Sequence, residues 1–309
     1  MSRRWSKRRS RSARAALALL AALSVAAIAA PGAAAGPLAS ACTGRAGHPP
    51  TYRHVLVIVM ENHSASQIFD SPKTPYISRV ARSCGRAVNY RAITHPSLPN
   101  YIAMTAGSNG GLTTDCNACR TNVPNVFRQL VRRGRAWRGF AESMPSPCFR
   151  ADSGRYLMRH NPAVYFRHLA GTCRTSDLPM GTPARGALRR ALRQNMLPAY
   201  AFLTPDACHD MHDCPKAAGD AWLRSWLPMI LANRSYRNGQ MVVFLTFDEG
   251  VGTDQRVATI VLSPYIEAGT VSRGHFTHYS LLRTTENLLG LPLLGNAQKA
   301  VGMRRAFGI

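Results

Sequence analysis

The chain has 309 residues and 46% of them are hydrophobic, which is enough to bury a sizeable core. Its formal net charge of +24 produces a positive field that attracts phosphorylated substrates, anionic lipid or nucleic acid. Arginines are mostly scattered, and aromatic residues do not alternate with them as they do in proteins that bind single-stranded nucleic acid. No nucleic-acid partner is therefore expected.

The first 35 residues have the three parts of a signal peptide. A basic segment, residues 1–14, precedes the apolar run Ala15–Ala30 and the small residues Ala33–Ala35. The apolar run is shorter than the ~20 residues that cross a bilayer, so we expect export with cleavage. Residues 36–309 then form one domain, which we expect to be a monomer that is secreted or held at the cell envelope.

Strand and helix patterns alternate along the rest of the chain. In chain order they are strand His54–Met60, helices Pro75–Arg82, Pro99–Ala106 and Val123–Arg133, strand Arg135–Glu142, helix Ala184–Asn195, strand Tyr200–Leu203, helix Ala221–Ala232, strands Met241–Phe247 and Val257–Ser263, and helix Tyr279–Leu289. Asp220 is expected to cap the helix that follows it, and Ser280 to lie in the first turn of the last helix.

This alternation predicts an α/β fold of three layers, with a central, mainly parallel sheet covered on both faces. The strands are nearly continuous runs of Val, Ile and Leu, as in sheets buried on both sides. Two segments rich in Pro, Gly and Cys, Leu112–Val123 and Met144–Arg185, are interpreted as irregular excursions from the core.

Polar side chains follow three of these strands at the point where each one ends. Glu61-Asn62-His63 follow the first strand, Asp206 and the segment CHDMHDC at 208–214 follow the third, and Asp248-Glu249 follow the fourth. The carboxyl ends of parallel strands meet at one edge, where ligands bind in such sheets. Charges crowded there repel each other unless a cation or an anionic substrate is present.

All eight cysteines lie after the signal peptide, an even number that indicates up to four disulfides in an exported protein. Cys208–Cys214 and Cys116–Cys119 could close small loops, and Cys148 with Cys173 and Cys42 with Cys84 would remain. Spacing alone does not determine this pairing. A zinc site built from CNAC and CHDMHDC is the competing interpretation.

The segment THPSLPNYIAMTAG at 94–107 places Ser97 between two prolines, directly before a helical run. Ser is a favoured N-cap residue and Pro is favoured in the first helical turn, so a capping role is one interpretation. The other is a nucleophile at a helix N-terminus, where free N–H groups favour an anion.

Seven motifs together resemble the secreted bacterial phosphoesterases, a family of acid phosphatases and phospholipase C-like enzymes within the alkaline phosphatase superfamily. They occur in the family's order from His54 to Pro292 and are MENHS, THPSLPNYIAMTAG, RHNP, CHDMHDC, GDAW, TFDEG and HYSLLRTTENLLGLP. The similarity is greatest to short actinobacterial acid phosphatases of the phosphatidylinositol-3-phosphatase type. It implies an alkaline-phosphatase-like fold for residues 36–309.

The resemblance also implies a role for particular residues. Ser97 and Asn100 match the family's S/T-x-P-N turn, in which the first residue is the nucleophile. Phosphoryl binding or protonation of the leaving oxygen is implied for His212, His278 and, in second rank, His160. The implied metal ligands are Glu61, Asn62, Asp248, Glu249 and Asp210.

These ligands are mostly oxygen atoms, which suit Mg²⁺, Ca²⁺ or Mn²⁺ better than Zn²⁺, and we expect one cation. The expected reaction is hydrolysis of phosphate monoesters, phosphatidylinositol 3-phosphate among them, through a phosphoserine. Two alternatives stay open: a phospholipase C-like phosphodiesterase, and a non-catalytic basic protein that binds surfaces. Peripheral contact with an anionic membrane fits the positive charge.

Overall fold

The computed structural model describes residues 41–47 and 51–309, so the predicted signal peptide lies outside the described residues. The strands are β1 His54–Met60, β2 Gly85–Ala87, β3 Tyr90–Arg91, β4 Trp137–Ala141, β5 Asp177–Pro179, β6 Tyr200–Thr204, β7 Met241–Phe247, β8 Thr259–Leu262, β9 Val271–Ser272 and β10 Phe276–Thr277. The α-helices are α1 Ala65–Ile68, α2 Pro75–Ser83, α3 Ser97–Ala106, α4 Val126–Arg132, α5 Ala170–Ser176, α6 Ala187–Arg193, α7 Lys216–Leu231, α8 Arg234–Arg237, α9 His278–Leu289 and α10 Arg304–Phe307. Short 3₁₀ turns lie at Met158–His160, Pro162–Tyr165, Arg167–Leu169 and Gly295–Gln298.

Eight strands form one sheet in the order β5-β4-β6-β1-β7-β8-β2-β9, and β10 pairs with β3 in a separate two-stranded sheet. In the large sheet β8 runs antiparallel to both of its neighbours, and the other pairs are parallel. The expected α/β class with a central, mainly parallel sheet is therefore confirmed.

The central strands lie in the hydrophobic core. Every residue of β7 is buried, and β1 is buried from Val55 to Met60. Strand β1 has β6 on one side and β7 on the other, both parallel to it. As a result the residues that follow β1, β6 and β7 emerge together at one edge of the sheet.

The predicted central strands and long helices are present, with ends that differ by a few residues. The exception is α7, which begins at Lys216 and contains Asp220 in its interior, so the predicted capping of that helix by Asp220 is wrong. The Asp220 carboxylate accepts hydrogen bonds from the amides of Tyr76, at 3.1 Å, and Ile77, at 2.8 Å, at the start of α2. In the part of the chain that the structure describes, no helix has the length and apolarity needed to cross a bilayer.

Four disulfides join the cysteines: the two short loops that proximity suggested and the two pairs that would remain. They are Cys42–Cys84, Cys116–Cys119, Cys148–Cys173 and Cys208–Cys214. This uses all eight cysteines, so no thiol is left for the alternative zinc site. Such a set of disulfides is typical of proteins from oxidising compartments.

Candidate active site

Three segments meet around the side chain of Ser97. Glu61 follows β1, Asp248 follows β7, and Ser97 is the first residue of α3. The Ser97 hydroxyl donates a hydrogen bond of 3.1 Å to Glu61 Oε2, and Ser97 is only 3% exposed. The N-cap position belongs to Pro96, so the hydroxyl is not used as a helix cap. The capping interpretation of Ser97 is therefore wrong in this structure.

Asn100 holds the turn that presents Ser97. Its Oδ1 accepts hydrogen bonds from the amides of Ile93, at 3.0 Å, and Thr94, at 3.2 Å. Its Nδ2 donates to the carbonyl of Thr94 at 2.7 Å and to Glu249 Oε2 at 3.3 Å. The side chain of Asn100 is thus occupied inside the protein, where it positions the turn rather than facing the Ser97 hydroxyl.

The Glu61 and Asp248 carboxylates are both fully buried beside Ser97. Glu61 Oε1 accepts a hydrogen bond of 2.5 Å from the Tyr101 hydroxyl. Burial, reinforced by the charge of Asp248, raises the pKa of Glu61 well above its usual range. Burial and then the charge of Glu249 raise the pKa of Asp248 to about 7. Both acids are therefore costly to ionise without a compensating charge.

These carboxylates have the properties of a cation site. Asp248 Oδ1 accepts a hydrogen bond of 3.0 Å from the Asn62 amide, but among the described residues no donor reaches the buried Asp248 Oδ2. Neither Glu61 nor Asp248 forms an ion pair with a lysine or arginine within the described ranges. Buried carboxylate oxygens with an unfilled acceptor fit a hard divalent cation.

His160 lies against Glu61 and is oriented by Asp210. The His160 Nδ1 lies 2.9 Å from Asp210 Oδ2, and its Nε2 lies 3.3 Å from Glu61 Oε1. The ring is stacked on Tyr101 with centroids 5.4 Å apart. Burial lowers the pKa of His160 to about 3, so the ring is neutral and donates through Nδ1. The second Asp210 oxygen accepts from the His212 amide at 2.8 Å, so we move Asp210 from the predicted ligands to a supporting position behind His160.

His212 lies at the open side of the cluster. Its Nδ1 is 2.6 Å from Asp213 Oδ1, and its Nε2 is 3.2 Å from the Arg159 guanidinium. One ligand atom each of Glu61, His160 and His212 lies within 4.8 Å of the others. His212 is thus the histidine with both access to solvent and proximity to the buried acids.

His278 is fully buried behind Asp248. Its Nε2 donates a hydrogen bond of 2.5 Å to the Asp248 carbonyl, and its Nδ1 accepts from the Tyr90 hydroxyl at 3.0 Å. Burial lowers the pKa of His278 to about 4 and keeps the ring neutral. Because both nitrogens are engaged away from Ser97, the contact predicted for His278 with a phosphoryl group has no support in this geometry.

Glu249 is the predicted ligand that is most engaged elsewhere. Its Oε1 lies 3.0 Å from His95 Nδ1, and its Oε2 accepts the hydrogen bond from Asn100. His95 Nε2 also lies 2.8 Å from the carbonyl of Gly252, so both ring nitrogens are engaged and His95 links Glu249 to the segment after β7.

Three residues of this site were not predicted. Tyr101 lies four residues after Ser97 on α3, a spacing that places both on one helix face and could have revealed it. Arg159 directly precedes His160, and its Nε lies 3.4 Å from Asp115 Oδ2. Asp115 Oδ1 accepts a hydrogen bond of 2.9 Å from the Leu98 amide, and nothing in the sequence indicated this contact.

The sheet order and the strand-end site define an alkaline-phosphatase-like α/β fold. A solved protein of the alkaline phosphatase superfamily from Vibrio parahaemolyticus is similar, with a TM-score of 0.58, 10% identity, and coverage of 86% of this chain and 74% of that chain. The lipoteichoic acid synthase LtaP from Listeria monocytogenes has a TM-score of 0.53 at 10% identity and covers 85% and 80% of the two chains. At such low identities these likenesses concern the fold alone.

The model of the Phosphoesterase family matches residues 67–292, and the chain belongs to this family. It is 34% identical over 256 residues to a phosphatidylinositol-3-phosphatase of Mycobacterium tuberculosis, covering 81% of each protein. It is 31% identical over 223 residues to an acid phosphatase of Aspergillus fumigatus, covering 67% of this chain and 48% of that protein. The chain thus spans about half the length of this fungal relative.

Proposed function

We propose that the chain is a secreted acid phosphatase that hydrolyses phosphate monoesters through a phosphoserine on Ser97, with residues 36–309 as the catalytic domain. The observation that carries this proposal is the buried Ser97 hydroxyl, hydrogen-bonded to Glu61 and next to a second buried acid. The named activities of the relatives, phosphatidylinositol-3-phosphatase and acid phosphatase, support the same reaction class. Four disulfides agree with export.

Glu61 and Asp248 would hold one divalent cation, with Asn62 as a further oxygen donor. Glu249 would join them only by giving up its contact with His95 or with Asn100. When bound, the cation lowers the pKa of the serine hydroxyl and offsets charge on the phosphoryl oxygens. The all-oxygen donor set favours Mg²⁺, Ca²⁺ or Mn²⁺. Asp248 Oδ2, which has no hydrogen-bond partner in the part of the chain that the structure describes, is the observation that supports such an ion.

The chain's own residues perform the remaining steps. Ser97 Oγ transfers its proton to Glu61 Oε2, the acceptor of its hydrogen bond, as the oxygen attacks phosphorus in line with the leaving oxygen. The bond from phosphorus to the alcohol breaks, and His212 protonates the departing oxygen because it is the accessible histidine of the cluster. Water then attacks the phosphoserine and gives a proton back to His212. The bond from phosphorus to Ser97 Oγ breaks, Glu61 returns its proton to the serine oxygen, and inorganic phosphate leaves. The N-terminal end of α3 stabilises the negative charge in both steps.

Phosphoinositides are the substrate class that we favour. The relative with 81% coverage is named for phosphatidylinositol 3-phosphate, and residues 36–309 carry 32 basic against 15 acidic residues, which favours contact with an anionic membrane. Small phosphate monoesters present the same dianion to Ser97, so they serve as test substrates.

The competing candidate is a phosphodiesterase of the phospholipase C type. Hydrolysis of p-nitrophenyl phosphate and of p-nitrophenylphosphorylcholine, compared with the same preparation, separates the two. We expect faster turnover of the monoester. We also expect that acid quenching of a reaction with ³²P-labelled substrate leaves label bound to the protein. Faster diester turnover would overturn the monoesterase assignment, and a protein that hydrolyses neither compound would support the non-catalytic alternative.

A further inference from the structure

We propose that Asp115 occupies a phosphoryl-oxygen subsite in the free protein and is displaced when substrate or phosphate binds. The subsite consists of the Leu98 amide and the Arg159 guanidinium. This inference rests on the proposed function, because it places the subsite next to Ser97. It adds a competing internal anion that the proposed reaction itself does not require.

The Asp115 carboxylate bridges the two groups that a phosphoryl oxygen would use. Its Oδ1 accepts from the Leu98 amide at 2.9 Å, and its Oδ2 lies 3.4 Å from Arg159 Nε. Leu98 is the residue after Ser97 in the ten-residue helix α3, so its amide points out of the helix N-terminus. An anion in this position is held by the free amide and by the helix dipole.

A buried donor without a partner shows that the place is more than a helix end. Arg159 Nε is buried and has no hydrogen-bond partner among the described residues, since Asp115 Oδ2 lies 3.4 Å away. Arg159 connects the two sides of the cluster, because its Nη2 contacts His212 while its Nε faces Asp115. The oxygens of a tetrahedral oxyanion can accept hydrogen bonds from the Leu98 amide and from the Arg159 guanidinium at the same time.

Asp115 is held loosely enough to exchange. Its side chain is 34% exposed, compared with 20% for Arg159, and its contact with Arg159 Nε is longer than a good hydrogen bond. Burial raises the pKa of Glu249, and the negative charge of Asp115 adds to this shift. A bound phosphoryl group could replace Asp115 at both donors, and solvent could then hydrate the released carboxylate.

The segment that carries Asp115 is anchored on its far side. Asp115 directly precedes the Cys116–Cys119 disulfide, and Asn117 donates a hydrogen bond of 2.9 Å to Asp152 Oδ2. Asp152 in turn accepts from the Met158 amide at 2.7 Å, one residue before Arg159. The Asp115 side chain can therefore rotate away while the loop around it stays attached.

The test is isothermal titration of inorganic phosphate into the purified Mg²⁺-supplemented protein, together with phosphate inhibition of p-nitrophenyl phosphate hydrolysis. Asp115→Asn keeps an oxygen acceptor for the Leu98 amide but removes the competing charge, so phosphate should bind about tenfold more tightly. Arg159→Met should weaken binding at least about tenfold. Asp70→Asn and Arg155→Met, which change the same charges at exposed positions, should leave phosphate affinity unchanged.

Each outcome separates the subsite from the proposed reaction. Unchanged or weaker phosphate binding in Asp115→Asn, in a protein that still hydrolyses the monoester, overturns the inference and leaves a structural helix cap. Tighter binding in a protein without turnover supports the subsite and refutes the phosphatase. Asp115→Ala is the second variant, and its thermal unfolding shows whether loss of the side chain affects folding. A wild-type protein that binds no phosphate also overturns the inference.

Discussion

The Ser97 hydroxyl and the Glu61 carboxylate form a 3.1 Å hydrogen bond that joins α3 to the end of β1. The two residues are 36 positions apart in sequence. Both are buried, so the contact is not one between mobile surface side chains. The bond orients the serine oxygen toward the edge where β1 and β7 end.

Ser97→Ala should abolish hydrolysis of p-nitrophenyl phosphate, with a loss of more than about 10³-fold in kcat, because the variant lacks the hydroxyl that would form the covalent intermediate. Circular dichroism should show an unchanged fold. Ser225→Ala, which changes an exposed serine on α7, is the matched control and should keep full activity. Retention of turnover by Ser97→Ala would end the assignment of Ser97 as nucleophile.

The buried acids make the stability of the metal-free protein depend on pH. Burial raises the pKa of Asp248 to about 7 in the folded protein, from about 3.9 in an unfolded chain. The folded state thus binds more protons than the unfolded state, so this contribution to stability is present below about pH 4 and is lost as pH rises through about 7. The EDTA-treated protein should melt at a higher temperature at pH 5.5 than at pH 8, and Asp248→Asn should reduce this difference.

A divalent cation should reverse that trend, because it binds the deprotonated acids in the folded state only. Mg²⁺ or Ca²⁺ should raise Tm more at pH 8 than at pH 5.5. In a plot of hydrolysis rate against pH, the acidic limb should also move to lower pH as the cation concentration increases, since cation and protons compete for Glu61 and Asp248. Equal Tm shifts at both pH values would contradict a cation site on these carboxylates.

Tyr101 should act through the orientation of Glu61. Tyr101→Phe removes a hydrogen bond to an acid, worth about 1.5–3 kcal/mol, so kcat/KM should fall about 10- to 100-fold. Glu61 would then be free to turn away from Ser97. Tyr165→Phe is a matched control, since the buried Tyr165 hydroxyl has no partner among the described residues. Similar losses in both variants would indicate a general packing effect.

The central sheet could be predicted from sequence because β1 and β7 are apolar at nearly every position, a pattern that requires cover on both faces. The short strands could not. β3, β9 and β10 have two residues each, too few to show a period, and they exist only because a neighbouring segment offers free backbone groups.

The segments that meet at the candidate site could be predicted from the sequence, whereas the direction of each side chain could not. Glu61, Asp248 and Ser97 meet as predicted because strand ends and a helix start converge by topology. The side chains of His278 and Asp210 were predicted to face the reacting groups, but their polar atoms contact Asp248 and His160 instead. Such orientations depend on packing between segments that are distant in sequence, as does the contact of Asp115 with Leu98.

Asp220 offers a test of packing away from the reaction. Both of its oxygens accept amide hydrogen bonds at the start of α2, so Asp220→Ala should lower the free energy of unfolding by about 1–2 kcal/mol. Asp220→Asn keeps one acceptor oxygen and should cost less. Urea unfolding measures both effects, and KM should not change, because these contacts join α7 to α2 rather than to Ser97. Asp70→Ala is the control, because it removes an exposed carboxylate that pairs with Arg82, and it should have little effect on the free energy of unfolding. An equal loss of stability in Asp70→Ala would show that charge, rather than the link between the two helices, is responsible.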